Sequence, residues 1–205
     1  MNAVAIELEA YEVTETEPLF RSARAALIFM ATCEGNPGRP LQNRMSDKTS
    51  GSDLVGLDRP GLAGMIKGVI RLLGPLAVAV LEADVTPPTK PCSCRRACCK
   101  GQGDNHEWLC AIDEICQHMS QEMQNKASYS LRSALAKKIY HGGGTIPEIA
   151  KRHGLHDNTV SNYLAEIRVW LKGCKANRNG PAVEGVDPTA WAEAETLFRN
   201  RGIVG

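Results

Sequence analysis

Four cysteines, Cys92, Cys94, Cys98 and Cys99, fall within eight residues of a segment that is otherwise polar and basic, with Lys90, Arg95, Arg96 and Lys100 around them. Thiols in such surroundings are poor candidates for core packing. Zn2+ asks for about four soft ligands at tetrahedral geometry, usually supplied in close-spaced pairs. The neighbouring cations favour the thiolate, the form that binds metal. These four cysteines are therefore the expected ligands of a structural Zn2+, with His106 or Cys110 as a replacement for one of them. Cys94-x3-Cys98 has reachable spacing, whereas Cys92-x-Cys94 and the adjacent Cys98 and Cys99 are tighter than the common finger pattern. No positioned Glu/His pair accompanies them, so catalytic zinc is not expected. Cys33, Cys110, Cys116 and Cys174 lie on apolar stretches and read by default as core residues.

A second set of side chains suits recognition rather than metal. Asn158, Thr159, Ser161 and Asn162, followed by Ala165, are short side chains that one face of a helix would present outward, towards base edges or a partner surface. Between Arg132 and Arg178 there are nine basic residues against three acidic ones, a local excess of six in a chain of net charge +1. Positive charge is thus concentrated where phosphate would be met.

The elements that must position this set can be read from Thr145 onward. Thr145 is a good N-cap, Pro147 sits in the first turn where its missing N–H costs nothing, and Glu148 complements the helix dipole. Ile146, Ile149 and Ala150 share one helical face, and Gly154 breaks the helix where a left-handed residue is needed. Asp157 or Asn158 is the expected cap of the next helix, with Val160, Tyr163 or Leu164, Ile167, and Trp170 or Leu171 facing inward. Ala150 is small where two helices must cross closely. Residues 128–140 supply a supporting helix through Leu131, Leu135 and Ile139, joined by the flexible run His141-Gly142-Gly143-Gly144. The unit reads as a helix-turn-helix.

Composition limits the alternatives. A chain of 205 residues holds one compact domain or two small ones, and only 5% aromatic content points to an aliphatic, helical core. No apolar run has membrane-spanning length: the longest, Ile66 to Val80, is interrupted by Lys67, Arg71 and Gly74-Pro75. Glu7, Glu9, Glu12, Glu15 and Glu17 precede the first basic residue, Arg21, which is unlike a signal peptide. A cytoplasmic location is expected, and there eight cysteines argue for metal rather than disulfides. No Ser/His/Asp set, P-loop or paired carboxylates appear, so no catalytic residues and no enzyme are expected.

The expected fold is mainly α: an N-terminal helical region, a small Cys-rich zinc-binding element and a C-terminal helix-turn-helix. Residues 1–20 form an acidic segment in which Val4, Ile6 and Leu8 alternate, compatible with a short strand or a disordered tail. Residues 21–88 are the helical region, with helices over 19–32 and 59–82 that Gly74-Pro75 kinks or ends, and Gly/Pro- and Ser/Gly/Asp-rich loops between. Prolines 87, 88 and 91 make 85–91 an extended connector. Residues 89–125 hold the cysteines and a helix beginning near Asn105, 126–177 the helix-turn-helix, and 178–205 a linker and a last helix. Asp187 is the expected cap of that helix, whose Trp191 and Phe198 would dock onto the helix-turn-helix or onto a partner.

Two resemblances follow from these features. Three helices with this spacing resemble the region 4 DNA-binding unit of sigma factors. The order Pro91-Cys92-x-Cys94-x3-Cys98-Cys99, then Glu107-Trp108, then a basic helix-turn-helix ending in Arg168-x-Trp170-Leu171, resembles the Q-type late-gene antiterminators of lambdoid and related phages across roughly residues 60–175. The crowded cysteines depart from the paired Cys-x2-Cys of zinc-bearing members. The resemblance implies binding of double-stranded DNA at a late promoter and engagement of bacterial RNA polymerase with its sigma factor, followed by read-through of terminators. It places Ser161, Asn162 and their neighbours Asn158 and Thr159 on bases, and Lys151, Arg152, Arg168 and Lys172 on phosphates, with His156 in the same DNA-facing set. A homodimer on repeated half-sites is a common arrangement for such units, and no membrane contact is implied.

Overall fold

The computed structural model describes residues 18–34, 59–92, 101–176 and 181–205. Among them the chain is mainly helical, with nine helices and one two-stranded sheet. The alternating residues 4–8, the loops of 35–58, the linker of 177–180 and Cys94, Cys98 and Cys99 lie outside the described residues.

Helix α1 (Ala23–Glu34) buries Ala23, Ala26, Leu27 and Met30, the spacing of one helical stripe. Helices α2 (Arg59–Ile70) and α3 (Pro75–Val85) are separate: Gly74 is extended and Pro75 opens α3 in its first turn. The Gly-Pro pair therefore ends one helix rather than kinking it. Helix α3 buries Ala79, Val80, Leu81 and Ala83, positions that span more than one face. It is the central helix of this half, touched by α1 and by two helices that follow later in the chain.

The connector of 85–91 turns into a strand, β1 (Thr89–Pro91), which pairs antiparallel with β2 (Gln102–Asp104), Thr89 opposite Asp104 and Pro91 opposite Gln102. This hairpin was not expected from so proline-rich a stretch. Asn105 locks it to α4 (His106–His118): its side chain donates to the Pro87 carbonyl at 3.0 Å and accepts from Glu107 N–H at 3.3 Å, while its backbone N–H donates to Pro88 at 3.0 Å. Helix α4 buries Trp108, Ala111, Ile112, Ile115 and Cys116. A short helix, α5 (Gln121–Lys126), capped by Ser120, has no counterpart in the sequence reading.

Helices α6 (Tyr129–His141), α7 (Ile146–His153) and α8 (Asp157–Lys172) pack on one another through Leu131 and Leu135, Ile149 and Ala150, and Val160, Leu164, Ile167 and Leu171. Helix α9 (Val186–Asn200) then runs across α3, α8, α1 and α2, burying Ala190, Ala194 and Phe198. The C-terminal helix thus docks on the N-terminal helices as well as on α8. One continuous apolar core runs through all of these elements. Asp187 is not the α9 cap. Gly185 holds that position, and Asp187 is buried, 3% exposed, because tertiary partners claim its carboxylate. No helix among the described residues is long and apolar enough to cross a membrane.

Candidate nucleic-acid interface

Local chemistry sets α7. Thr145 Oγ1 accepts from Glu148 N–H at 3.4 Å, and Glu148 Oε2 accepts from Thr145 N–H at 2.8 Å, a reciprocal capping box that satisfies two donors with no helical partner. Those bonds from Thr145, first the backbone and then the side chain, hold the Glu148 carboxyl below its ordinary range, with Arg152 and Lys138 adding to them. At the far end Gly154 adopts φ +64°, and Leu155 N–H reaches back to the Ala150 carbonyl at 3.0 Å. This left-handed turn reverses the chain within three residues and starts α8. Ala150 is 1% exposed at the close approach.

The cap of α8 is His156 rather than Asp157 or Asn158. Its Nδ1 accepts from Asn158 N–H at 3.2 Å, and Asp157 is the first helical residue, where its charge complements the dipole. Burial of Val160, Leu164, Ile167 and Leu171 turns Asn158, Asn162 and Ala165 outward along one stripe, with Arg168 exposed beside it. Thr159 and Ser161 flank the stripe, half-buried. Lys151 and Arg152 are exposed on the last turn of α7, next to the turn that starts this stripe. Among the described residues, the side chains of Lys151, Asn158, Asn162 and Arg168 make no hydrogen bond or ion pair within the chain. They are spare for a partner.

Two basic residues are placed otherwise. The Lys172 ammonium is engaged with the buried Asp187 carboxylate and lies 3.8 Å from Asp84 Oδ1, so although its side chain is 38% exposed it is already paired within the fold. Arg132 is 7% exposed and donates to the carbonyls of Gln124 and Ala127 at 3.2 and 2.8 Å. Counting charges along the sequence overstates the surface excess, because long side chains also serve as internal donors. Lys126 and Lys172 are exposed but ion-paired, to Glu166 and Asp187, which leaves Lys151, Arg152, Arg168 and Lys175 as the exposed cations near α7 and α8 outside such pairs.

Of the four expected metal ligands, only Cys92 is described. It is half-buried just after β1, where its N–H donates to the Gly101 carbonyl at 3.0 Å and draws together the two ends of 93–100. Cys110 is exposed on α4 rather than in the core, its Sγ 3.7 and 3.9 Å from the ring nitrogens of His106 one turn earlier. Cys116 is buried as expected, and Cys33 and Cys174 are partly covered. Among the described residues no group of three or more His, Cys, Asp or Glu converges on one point. No protein-family model, curated protein or solved structure matches the chain.

Proposed function

We propose that α6, α7 and α8 form a helix-turn-helix that binds double-stranded DNA, and that the protein is a regulator of transcription rather than an enzyme. The observation that carries this reading is the stripe of unpartnered Asn158 and Asn162 on α8, bordered by exposed Lys151, Arg152 and Arg168. Helix α8 has 16 residues, about 24 Å, and its exposed face carries only short side chains near its N-terminus. The major groove, about 12 Å wide, admits such a helix, and its N-terminal residues would meet base edges while the basic residues meet phosphate. Lys172 drops from the phosphate-contacting set because Asp187 already holds its ammonium.

The resemblance to Q-type phage antiterminators extends this reading: a factor that binds near a late promoter and modifies bacterial RNA polymerase, paused with its sigma factor, to read through terminators. A structural Zn2+ held by Cys92, Cys94, Cys98 and Cys99 belongs to the same reading. The closed hairpin base supports it, and so does the His106–Cys110 pair, either member of which has the chemistry to replace one thiolate. Such an ion would hold the loop and supply no reaction step.

The test is transcription in vitro on a late promoter followed by a terminator, with and without the protein. Read-through that persists after polymerase has left the promoter region is expected. A change in initiation alone would make the protein an ordinary activator or repressor, and DNA recognition without any transcriptional effect would move the reading to a packaging-type recognition subunit.

A further inference from the structure

His106 and Cys110 stand one turn apart on the exposed side of α4, at helix positions that face the same way. The Cys110 Sγ lies 3.7 Å from Nε2 and 3.9 Å from Nδ1 of the His106 ring. Zn2+ takes thiolate sulfur at about 2.3 Å and imidazole nitrogen at about 2.0–2.1 Å, and a tetrahedral angle between two such bonds sets the donors about 3.5 Å apart. The pair is therefore already spaced as two corners of a tetrahedral site. Both side chains are exposed, and among the described residues neither makes another hydrogen bond or ion pair, so the ring is free to turn either nitrogen towards an ion.

Space and charge beside the pair suit a cation. Cys110 opens onto a depression of about 410 Å³ between α3 and α4, whose wall carries Glu82 and Glu114 against one basic residue, Arg71. Glu114, a further turn along α4, lies 3.4 Å from His118 and belongs to that pair. Among the described residues no third His, Cys, Asp or Glu converges on His106 and Cys110, which leaves the other two corners to water. We propose that His106 and Cys110 together chelate one thiophilic divalent cation of the Zn2+ class on the surface of α4. This site is separate from the ion proposed for Cys92, Cys94, Cys98 and Cys99 and does not rest on it. Binding forms one S–Zn and one N–Zn bond and sends the thiol proton to solvent. The ion ties the first turn of α4, which Asn105 joins to the hairpin, to the second turn, and it masks the thiol. Two protein ligands hold it more loosely than the four of a closed structural site, so loading follows the free metal concentration.

Alkylation of Cys110 in the full chain, reduced and stripped of metal, tests the chelate directly when read by peptide mass spectrometry with and without Zn2+. Zn2+ at ten times its apparent Kd should slow modification of Cys110 about tenfold, in proportion to the thiol left free. His106→Ala, a change on an exposed side chain, should abolish the protection at the same Zn2+ concentration. No protection in the unaltered chain overturns the proposal. Protection that survives His106→Ala also overturns it, because the thiol then binds metal without the imidazole. A second measurement uses Co2+, whose thiolate charge-transfer absorption reports sulfur ligands, in a chain with Cys92, Cys94, Cys98 and Cys99 changed to Ser. One thiolate per bound Co2+ is expected, with the absorption lost on adding Zn2+ and on Cys110→Ser. Absence of the absorption from a folded variant, or its persistence after Cys110→Ser, overturns the chelate. If the four changes prevent folding, the alkylation comparison decides alone.

Discussion

Lys172, in the last turn of α8, closes its ammonium on the carboxylate of Asp187 in the first turn of α9. Asp187 Oδ1 also accepts from the Tyr140 hydroxyl of α6 at 2.7 Å, and the Lys172 ammonium lies 4.7 Å from the centre of the Tyr140 ring. Asp84 of α3 stands 3.8 Å from the same ammonium and takes Arg24 of α1 at 2.9 Å. A line of alternating charge thus joins α1, α3, α8, α9 and α6. The helices proposed to read DNA are tied by it to the N-terminal half, so the two halves have a polar link as well as a shared apolar core.

Burial pushes the Asp187 carboxyl above its ordinary range, against the opposing pull of Lys172 and Tyr140. Burial together with Asp187 likewise raises the Tyr140 phenol. A raised folded-state value means that the stability this carboxyl contributes is present below its unfolded value and is lost as pH rises through the folded one. At neutral pH its ionised form is therefore a net cost. Asp187→Asn, which keeps an acceptor for Tyr140, should leave the urea midpoint nearly unchanged. Asp187→Ala orphans the Tyr140 hydroxyl and leaves Lys172 only Asp84, 3.8 Å away, and should cost about 2 kcal/mol or more. Equal losses in the two variants would show that the charge itself is required.

The cap of α7 is separable from the core. Thr145→Ala should cost about 1 kcal/mol, the usual worth of such a cap. The Glu148 carboxyl is held low by Thr145, so its contribution is present above the ordinary carboxylate value and lost as pH falls through the lowered one. The protection factor of the Thr145 amide, which donates to Glu148 Oε2, should hold through ordinary carboxylate titration and fall only in stronger acid. A fall together with the exposed carboxylates would deny the capping box its role.

What was legible in the sequence was what short-range chemistry decides. Thr145, Pro147 and Gly154 mark α7 because caps and left-handed turns are set within a few residues. The cap of α8 lies before both Asp157 and Asn158, since the His156 imidazole Nδ1 does the work usually given to a carboxylate. Asp187 followed by Pro188 has the form of a cap, yet a distant Lys and Tyr claim it. The β1–β2 hairpin is invisible in the sequence because proline and glycine give no strand signal, and long-range bonds pin it, Asn105 to Pro87 and Pro88 at the open end and Cys92 N–H to Gly101 at the other. Cys110 is exposed although its helix is apolar, because an apolar helix alone does not say which side its neighbours cover.

Base and phosphate contacts should respond differently. Asn162→Ala, on the spare stripe of α8, should relax sequence preference with modest loss of total affinity. Lys151→Ala should weaken all duplexes alike and lower the salt slope of log affinity by about one. Lys172→Ala should instead act on folding stability, because its ammonium is held by Asp187. Titration at several salt concentrations, on specific and scrambled duplexes, separates the three. If Asn162→Ala and Lys151→Ala both bind as the unaltered chain does, α8 is not the reading helix.

The cysteines on α4 should differ sharply in reactivity. Burial pushes the Cys116 thiol up to about 12, with Arg132 and Lys137 opposing. That leaves on the order of a thousandfold less thiolate at neutral pH than an ordinary cysteine has. Cys110 is exposed on the same helix. With the protein kept in chelator, iodoacetamide should modify Cys110 well before Cys116, read by peptide mass spectrometry. Comparable rates at both positions would mean that the packing of α4 against α6 opens readily.

The Lys172–Asp187 pair depends on a backbone crossing that only glycine permits. A Cβ on Gly185 would run into the backbone of Leu171, Lys172 and Gly173. A Cβ on Gly173, which has φ +74°, would sit 2.6 Å from the Val183 carbonyl oxygen and 2.7 Å from Gly185 N. These obstacles are main-chain atoms, which cannot move aside as a flexible side chain does. Gly185→Ala should therefore push α9 away from α8 and loosen Asp187 from Lys172 and Tyr140, at a cost of several kcal/mol, roughly 3 or more. Gly202 also has a positive φ, +67°, but open space around its Cβ position. Gly202→Ala should consequently cost only about 1 kcal/mol of backbone strain. Thermal unfolding of the two variants side by side checks the contrast, and similar small losses in both would show that the α8–α9 crossing is wider than this structure has it.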